Sequence, residues 1–200
     1  MAGLPFFSLT MHIVRPAYTT GTNVVSLDDA KEFLRVDHDD EDTTITALLD
    51  AAVAWVEDYT NRSFSASSLT TFYLGFWRKA SLAFGPVSSI VSVSYKDTSG
   101  ALQTLSTDKY YYEALGNNNS VMIYFHDTPD LEEYNAHPVT IAALVGAGAS
   151  SRVKHAVKML VAHWYENRRA VVVGAGVGAA GVPMAVDSLL NPERIETSWQ

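Results

Sequence analysis

The 200-residue chain has no cysteine. That excludes disulfides and thiolate metal sites, and it fits a reducing compartment. Charge is sparse at 18%, and cations are the scarcer sign, with 14 Lys and Arg against 22 Asp and Glu and a net charge of -8. The shortage is greatest at the front. Residues 1 to 69 carry 4 basic and 11 acidic side chains, residues 70 to 145 carry 4 and 7, and residues 146 to 200 carry 6 and 4. A front half so poor in cations argues against tight or sequence-reading nucleic-acid binding, which needs a basic face to neutralise phosphates. Its acids read as a solvated surface. The opening lacks a long apolar run as well. Met1 to Phe7 has no basic n-region, and Pro5, Thr10, His12 and Arg15 interrupt the opening before it reaches signal-peptide or membrane length. The expectation is a soluble, unexported protein with no membrane contact.

The familiar catalytic and metal signatures are also lacking. The six histidines, at 12, 38, 126, 137, 155 and 163, form no His-Glu-x-x-His or other compact zinc pattern. There is no Gly-x-Ser-x-Gly elbow and no thiol nucleophile. Two motifs come close. Gly176-Val-Gly178-Ala-Ala-Gly181 matches a dinucleotide fingerprint, but Pro183 follows two residues later and no second βα unit fits behind it, so a flexible glycine loop is expected. Asp37-His-Asp39-Asp40-Glu41-Asp42 alternates acids like a calcium loop, but it has Asp42 where the turn needs glycine and Leu48 where a bidentate glutamate belongs. Acids capping the next helix explain it better. No catalytic residue, cofactor site or metal site is therefore assigned, although a triad dispersed along the chain would leave no such signature.

What is present is organisation. With 48% hydrophobic residues the chain can bury one ordinary core, or a core plus a small appendage. Residues 1 to 25 show no sustained period and read as an extended arm. Ser26 with Asp29 has capping-box spacing, and Leu27, Ala30 and Leu34 follow it at helical intervals, so a short helix is expected over about 27 to 36. Ile45, Leu48, Leu49, Ala52, Val53, Val56 and Tyr59 make the apolar stripe of a second helix that ends at Asn61-Arg62-Ser63.

From about residue 69 the period becomes two, which marks strands. Val91, Val93 and Tyr95 alternate with serines, and Asp97-Thr-Ser-Gly100 is a hairpin turn before Leu102 and Leu105. Further strand-like pieces are 70 to 76, 109 to 113, 121 to 125 and 139 to 145, with Gly116-Asn-Asn-Asn119 as a turn. Tyr110-Tyr111-Tyr112 reads as strand composition, not as a base-stacking platform, because no Arg or Lys is interleaved. Ser150 or Ser151 then caps the longest helix, with Val153, Ala156, Val157, Leu160, Val161 and Trp164 on its apolar stripe. Pro183 precedes a last short element around 186 to 190, which Pro192 stops.

Two segments carry a family resemblance. Trp164-Tyr165-Glu166-Asn167-Arg168-Arg169, followed by a valine run and Pro183-Met-Ala-Val-Asp-Ser-Leu-Leu-Asn-Pro-Glu-Arg194, occurs together with Ser26-Leu-Asp-Asp-Ala-Lys-Glu-Phe-Leu-Arg35-Val-Asp-His-Asp-Asp40. The pair resembles the head-tail connector (adaptor) family of long-tailed phages, with gene-transfer agents using the same part. The long arm and the glycine stretch 174 to 181 depart from the family pattern.

The resemblance implies an α+β fold: a helical bundle body (26 to 68 and 146 to 190) holding two N-terminal helices, one long C-terminal helix and a short last helix, with a small antiparallel β module (69 to 145) inserted. Ser26 to Arg35, Ile45 to Arg62 and Arg152 to Arg169 would be the body, and Leu189 to Arg194 the start of a tail, 191 to 200, that engages the portal. It also implies a virion protein of the neck, assembled in the host cytoplasm as a homo-oligomeric ring of about twelve copies. The implied partners are the portal and the next head-completion (stopper) or tail protein, and DNA passes through without specific binding.

The charge split suggests which faces meet in such a ring. Asp50, Glu57 and Asp58 on the second helix are expected to face Arg152, Lys154 and Lys158 of the next copy. Phe6, Phe7, Arg194, Ile195 and Trp199 lie in segments without periodicity, and they are expected to bind partners because large apolar side chains in arms seek cover. Arg168 and Arg169 would complement the negative end of the long helix. Two other functions stay open at this level: a small cytosolic enzyme with a dispersed site in the β module, and a peptide-binding module using an exposed β edge.

Overall fold

The structure, a computed structural model, describes residues 12–82, 84–115, 120–132, 136–167 and 184–195. Its helices form one layer. Ser26 caps α1 (Leu27–Leu34) by accepting the Asp29 N–H at 3.1 Å, and Arg35 ends it in the left-handed region. α2 (Asp42–Thr60) stops at Asn61, also left-handed. Ser150 caps α3 (Ser151–Glu166), which packs against α2 and the short α4 (Met184–Leu190). The stripes expected for α2 and α3 meet here: Ile45, Leu49, Val53 and Val56 are buried against Val153, Val157, Leu160 and Val161. Lys31 of α1 bridges to the loop before α2, pairing with Asp39 at 2.6 Å and Asp42 at 2.8 Å. That contact holds the Lys31 ammonium pKa above its ordinary value and the Asp39 carboxyl below its own. The acids that resemble a calcium loop thus hold a cation of their own chain.

The remainder is a pair of antiparallel sheets. The first has the order β1-β2-β8-β4-β5, from β1 (His12–Val14), β2 (Ser67–Tyr73), β4 (Val87–Lys96), β5 (Leu102–Thr104) and β8 (Val139–Val145). The second has the order β3-β7-β6, from β3 (Lys79–Leu82), β6 (Tyr110–Leu115) and β7 (Ser120–Phe125). Their inner faces share a core that includes Tyr73, Val93 and Ile141 from the first sheet and Leu82, Ile123 and Phe125 from the second. The expected hairpin joins β4 to β5, and Asp97 organises its turn: its carboxylate accepts the N–H groups of Ser99 and Ala101, the Ser99 hydroxyl and the Gln103 amide. These bonds, led by those from the side chains of Ser99 and Gln103, hold the Asp97 pKa down at about 2.

The expected helical bundle body with a small inserted β module is corrected: this is a mixed α+β fold in which two antiparallel sheets carry a core of their own beside that of the helices. Two strands were not foreseen. β1 lies in the expected extended arm, and β3 is too short to show a period. Each exists through pairing with a distant strand, His12 to Val14 with Phe72 to Thr70 and Lys79 to Leu82 with Tyr124 to Val121.

Candidate assembly surfaces

Asp50, Glu57 and Asp58 are spaced seven and eight residues apart, which puts them on one face of α2. That face receives the chain's own N-terminal segment. Asp50 accepts the Gly21 N–H at 2.7 Å. Glu57 accepts the Thr19 N–H at 3.0 Å, the Thr19 hydroxyl at 2.6 Å and the Phe64 N–H at 2.8 Å. Asp58 accepts Arg15 at 2.5 Å and the Tyr18 hydroxyl at 2.9 Å, and the bond to Asp58 raises the Tyr18 pKa. The expectation of an outward acidic face is thereby corrected for Glu57, which is 3% exposed. A carboxylate there is tolerable because three donors satisfy it. Asp50 and Asp58 are exposed but already engaged within the subunit. The residues that sequence reasoning missed are Arg15, Tyr18, Thr19 and Gly21. No local pattern marks them, since the α2 acids they meet lie 29 to 43 positions away.

The cations of α3 stand elsewhere. Arg152 and Lys154 are exposed, and Lys158 is half-buried with its ammonium 5.5 Å from the Phe33 ring centroid. Phe33 is 41% exposed and meets His155 edge-on at 6.0 Å. Beside it a shallow cleft of 440 Å³ is lined by Asp29, Glu32, Phe33, Arg35 and Lys158. Among the described residues no ion pair joins Arg152, Lys154 or Lys158 to the acids of α2.

The segment after α4 folds back. Ile195 was expected to stand outside the core in a tail. It is fully buried, its N–H bonded to the Thr60 carbonyl at 2.9 Å and its own carbonyl to the Asn61 amide at 3.1 Å. Burying this side chain outweighs the cost of ordering the short segment that carries it. Arg194 lies over the Tyr59 ring at 5.6 Å. Glu193 is anchored twice: its carboxylate takes the hydroxyl of Ser150, the cap of α3, at 2.8 Å, and its carbonyl takes Arg62 Nε. Burial lowers the Arg62 pKa, with Glu193 opposing the shift. Asn61 also accepts Arg15 at 2.9 Å, so one residue at the end of α2 touches both terminal segments. Phe6, Phe7, Trp199, Arg168, Arg169, the glycine stretch 174 to 181 and the turn 116 to 119 lie outside the described residues.

The head completion protein family matches residues 23–189. Several solved chains share the fold over nearly their whole length. One, from the neck of an empty gene-transfer-agent particle computed with C6 symmetry, is 16% identical, with 94% of this chain and 97% of that chain covered and a TM-score of 0.66. Another, from the virion of a native gene transfer agent particle, is 20% identical, with 95% and 97% covered and a TM-score of 0.66. A third, from the neck of a native particle of this kind computed with C12 symmetry, is 17% identical, with 96% and 98% covered and a TM-score of 0.63. Among curated proteins none matches the chain.

Proposed function

The chain belongs to the head completion protein family, and on that footing we propose that it is a structural connector of the virion neck, with no catalytic role. Copies of it close a ring beneath the portal, extend the channel through which DNA passes, and offer a docking face to the next head-completion or tail protein. The observation that carries this reading is the family match across residues 23–189. The C12 symmetry applied to one similar neck supports a ring of twelve subunits here. A closed ring needs a heterologous contact, one face against a different face of the neighbour. The exposed cations Arg152 and Lys154, with Lys158, supply one candidate face, and Asp50 and Asp58 the other. Glu57 drops out of that pairing because it is buried. A net charge of -8 suits a channel wall, since DNA slides past a surface that does not grip phosphates.

The test is to concentrate the purified full-length protein with and without its cognate portal, then measure mass and image the particles. Rings of fixed size seated on the portal are expected. A small oligomer indifferent to the portal would overturn the assignment.

A further inference from the structure

β6 (Tyr110–Leu115) is an outer strand. One side pairs with β7 from Tyr110↔Phe125 to Leu115↔Ser120, and among the described residues no strand pairs with the other. Among the described residues its six make it longer than the other outer strands β1, β5 and β3, which have three, three and four. Proteins usually blunt such an edge with proline, lysine or a bulge. β6 contains no proline, lysine or arginine, and its ladder with β7 runs without a register shift. Tyr112 and Ala114 share the parity of buried Tyr110 yet are exposed, Tyr112 by 44%. This edge can therefore accept backbone hydrogen bonds and apolar cover together.

The chain contains a segment of matching pattern. From Phe7 to Val14 the sequence reads Phe-Ser-Leu-Thr-Met-His-Ile-Val, with apolar residues at 7, 9, 11 and 13 and polar ones between them. Ile13 packs against the cluster of Leu69, Phe84 and Val145, so it takes the inward parity. Among the described residues, β1 takes His12–Val14 of this pattern. The two ends of the sandwich are also distinct. β1 lies beside β2, whose Tyr73 hydroxyl reaches the Ser81 carbonyl of β3 at 3.0 Å. β6 is at the far side of β7 from β3, and the chain enters it from β5 through residues 105 to 109.

We propose that residues 7 to 11 of one subunit add as a strand to the free edge of β6 in the next. Phe7, Leu9 and Met11 then extend the apolar surface beside Tyr112 and Ala114, while Ser8 and Thr10 fall on the face of Tyr111 and Glu113. Main-chain bonds supply affinity and the alternation sets register. A donor at one end and an acceptor at the other make a head-to-tail contact, the kind that closes rings. The proposal rests on the reading of this chain as a ring subunit, and it assigns the arm to a neighbouring copy instead of the portal.

Because the chain has no cysteine, introduced thiols report without background. A synthetic peptide of residues 4 to 13 with Ser8→Cys, activated as a mixed disulfide, is added to full-length protein bearing Glu113→Cys or Tyr111→Cys on the β6 edge, or Thr44→Cys on exposed α2 as reference. Rates are normalised to those with oxidised glutathione. Coupling at either β6 position is expected to be about tenfold faster than at Thr44, through the raised local concentration of a docked strand, and to fall to the Thr44 rate when the peptide also carries Leu9→Pro. Equal rates at the edge and at Thr44 overturn strand addition. A rate that survives Leu9→Pro or a scrambled sequence removes this segment as the occupant. No ring is needed for the measurement, so failure to form rings, read separately by mass, bears on the connector assignment and not on this one.

Discussion

Glu57 in α2 and Thr19 in the N-terminal segment are joined twice, by the Thr19 N–H at 3.0 Å and its hydroxyl at 2.6 Å, and both residues are 3% exposed. With the Phe64 N–H also on Glu57, one carboxylate ties the arm, the long second helix and the entry to the sheets together. The segment from Arg15 to Gly21 is therefore a fixed part of the subunit.

Replacing Glu57 with alanine leaves the buried N–H groups of Thr19 and Phe64 without their acceptor and the Thr19 hydroxyl with only Ser65 Oγ, so Glu57→Ala should cost about 2–4 kcal/mol in urea unfolding. Glu57→Gln, which retains an acceptor oxygen, should cost less. Limited proteolysis of the folded Glu57→Ala variant should cut first between Arg15 and Gly21. A loss below about 0.5 kcal/mol, the range of ordinary surface changes, would show that the clamp does not hold the arm.

Gly21 lies so close to α2 that a Cβ on it would stand 2.4 Å from the Leu49 carbonyl carbon and 2.6 Å from the Asp50 nitrogen. Neither backbone atom can yield without moving the helix. Gly21→Ala should therefore lift the arm, lose the bond to Asp50, and lower stability by about 1–3 kcal/mol. Hydrogen exchange at Gly21's neighbours Asn23 and Val24, faster in the variant, is the direct readout.

Ile195→Ala separates a buried residue from an exposed docking residue. Complete burial predicts a loss of about 2–4 kcal/mol from the isolated subunit, measured by denaturant titration. A variant as stable as the parent would return this side chain to the surface.

At the β4–β5 turn the sign of the pH dependence follows from the depressed Asp97 carboxyl, at about 2 when folded. A lowered folded pKa contributes stability above the ordinary carboxyl range and loses it as the pH falls through the folded value. The melting-temperature gap between the parent and Asp97→Asn should be constant above about pH 5 and close between about pH 4 and 2. A gap that persists at pH 2 would mean that the charge is not what holds the turn.

Reversing Lys154 and Lys158 to glutamate should raise the concentration at which rings form, with the larger effect at low salt, because exposed charge pairs chiefly steer and register a contact. Sedimentation across a concentration series checks this, and an unchanged threshold would remove α3 from the contact.

The sequence by itself determined the parts whose cause is local. A serine at the right place caps α1 and α3, residues three and four apart line the faces of α2 and α3, and Asp97 with Gly100 turns β4 into β5. Even the family was readable from two segments, because their order along the chain survives in the sequence. Tertiary structure alone decided the rest. It made the strands two sheets packed face to face, since pairing such as Lys79 with Tyr124 joins residues no period connects. It turned Glu57 inward, because the donors that make a buried carboxylate tolerable come from Thr19 and Phe64. It also drew Ile195 into the core, where the Thr60 carbonyl and the Asn61 amide, 135 and 134 positions back, bond its backbone. A side chain's surroundings are set by whatever the fold brings to it, and for these residues that is chain far removed in sequence.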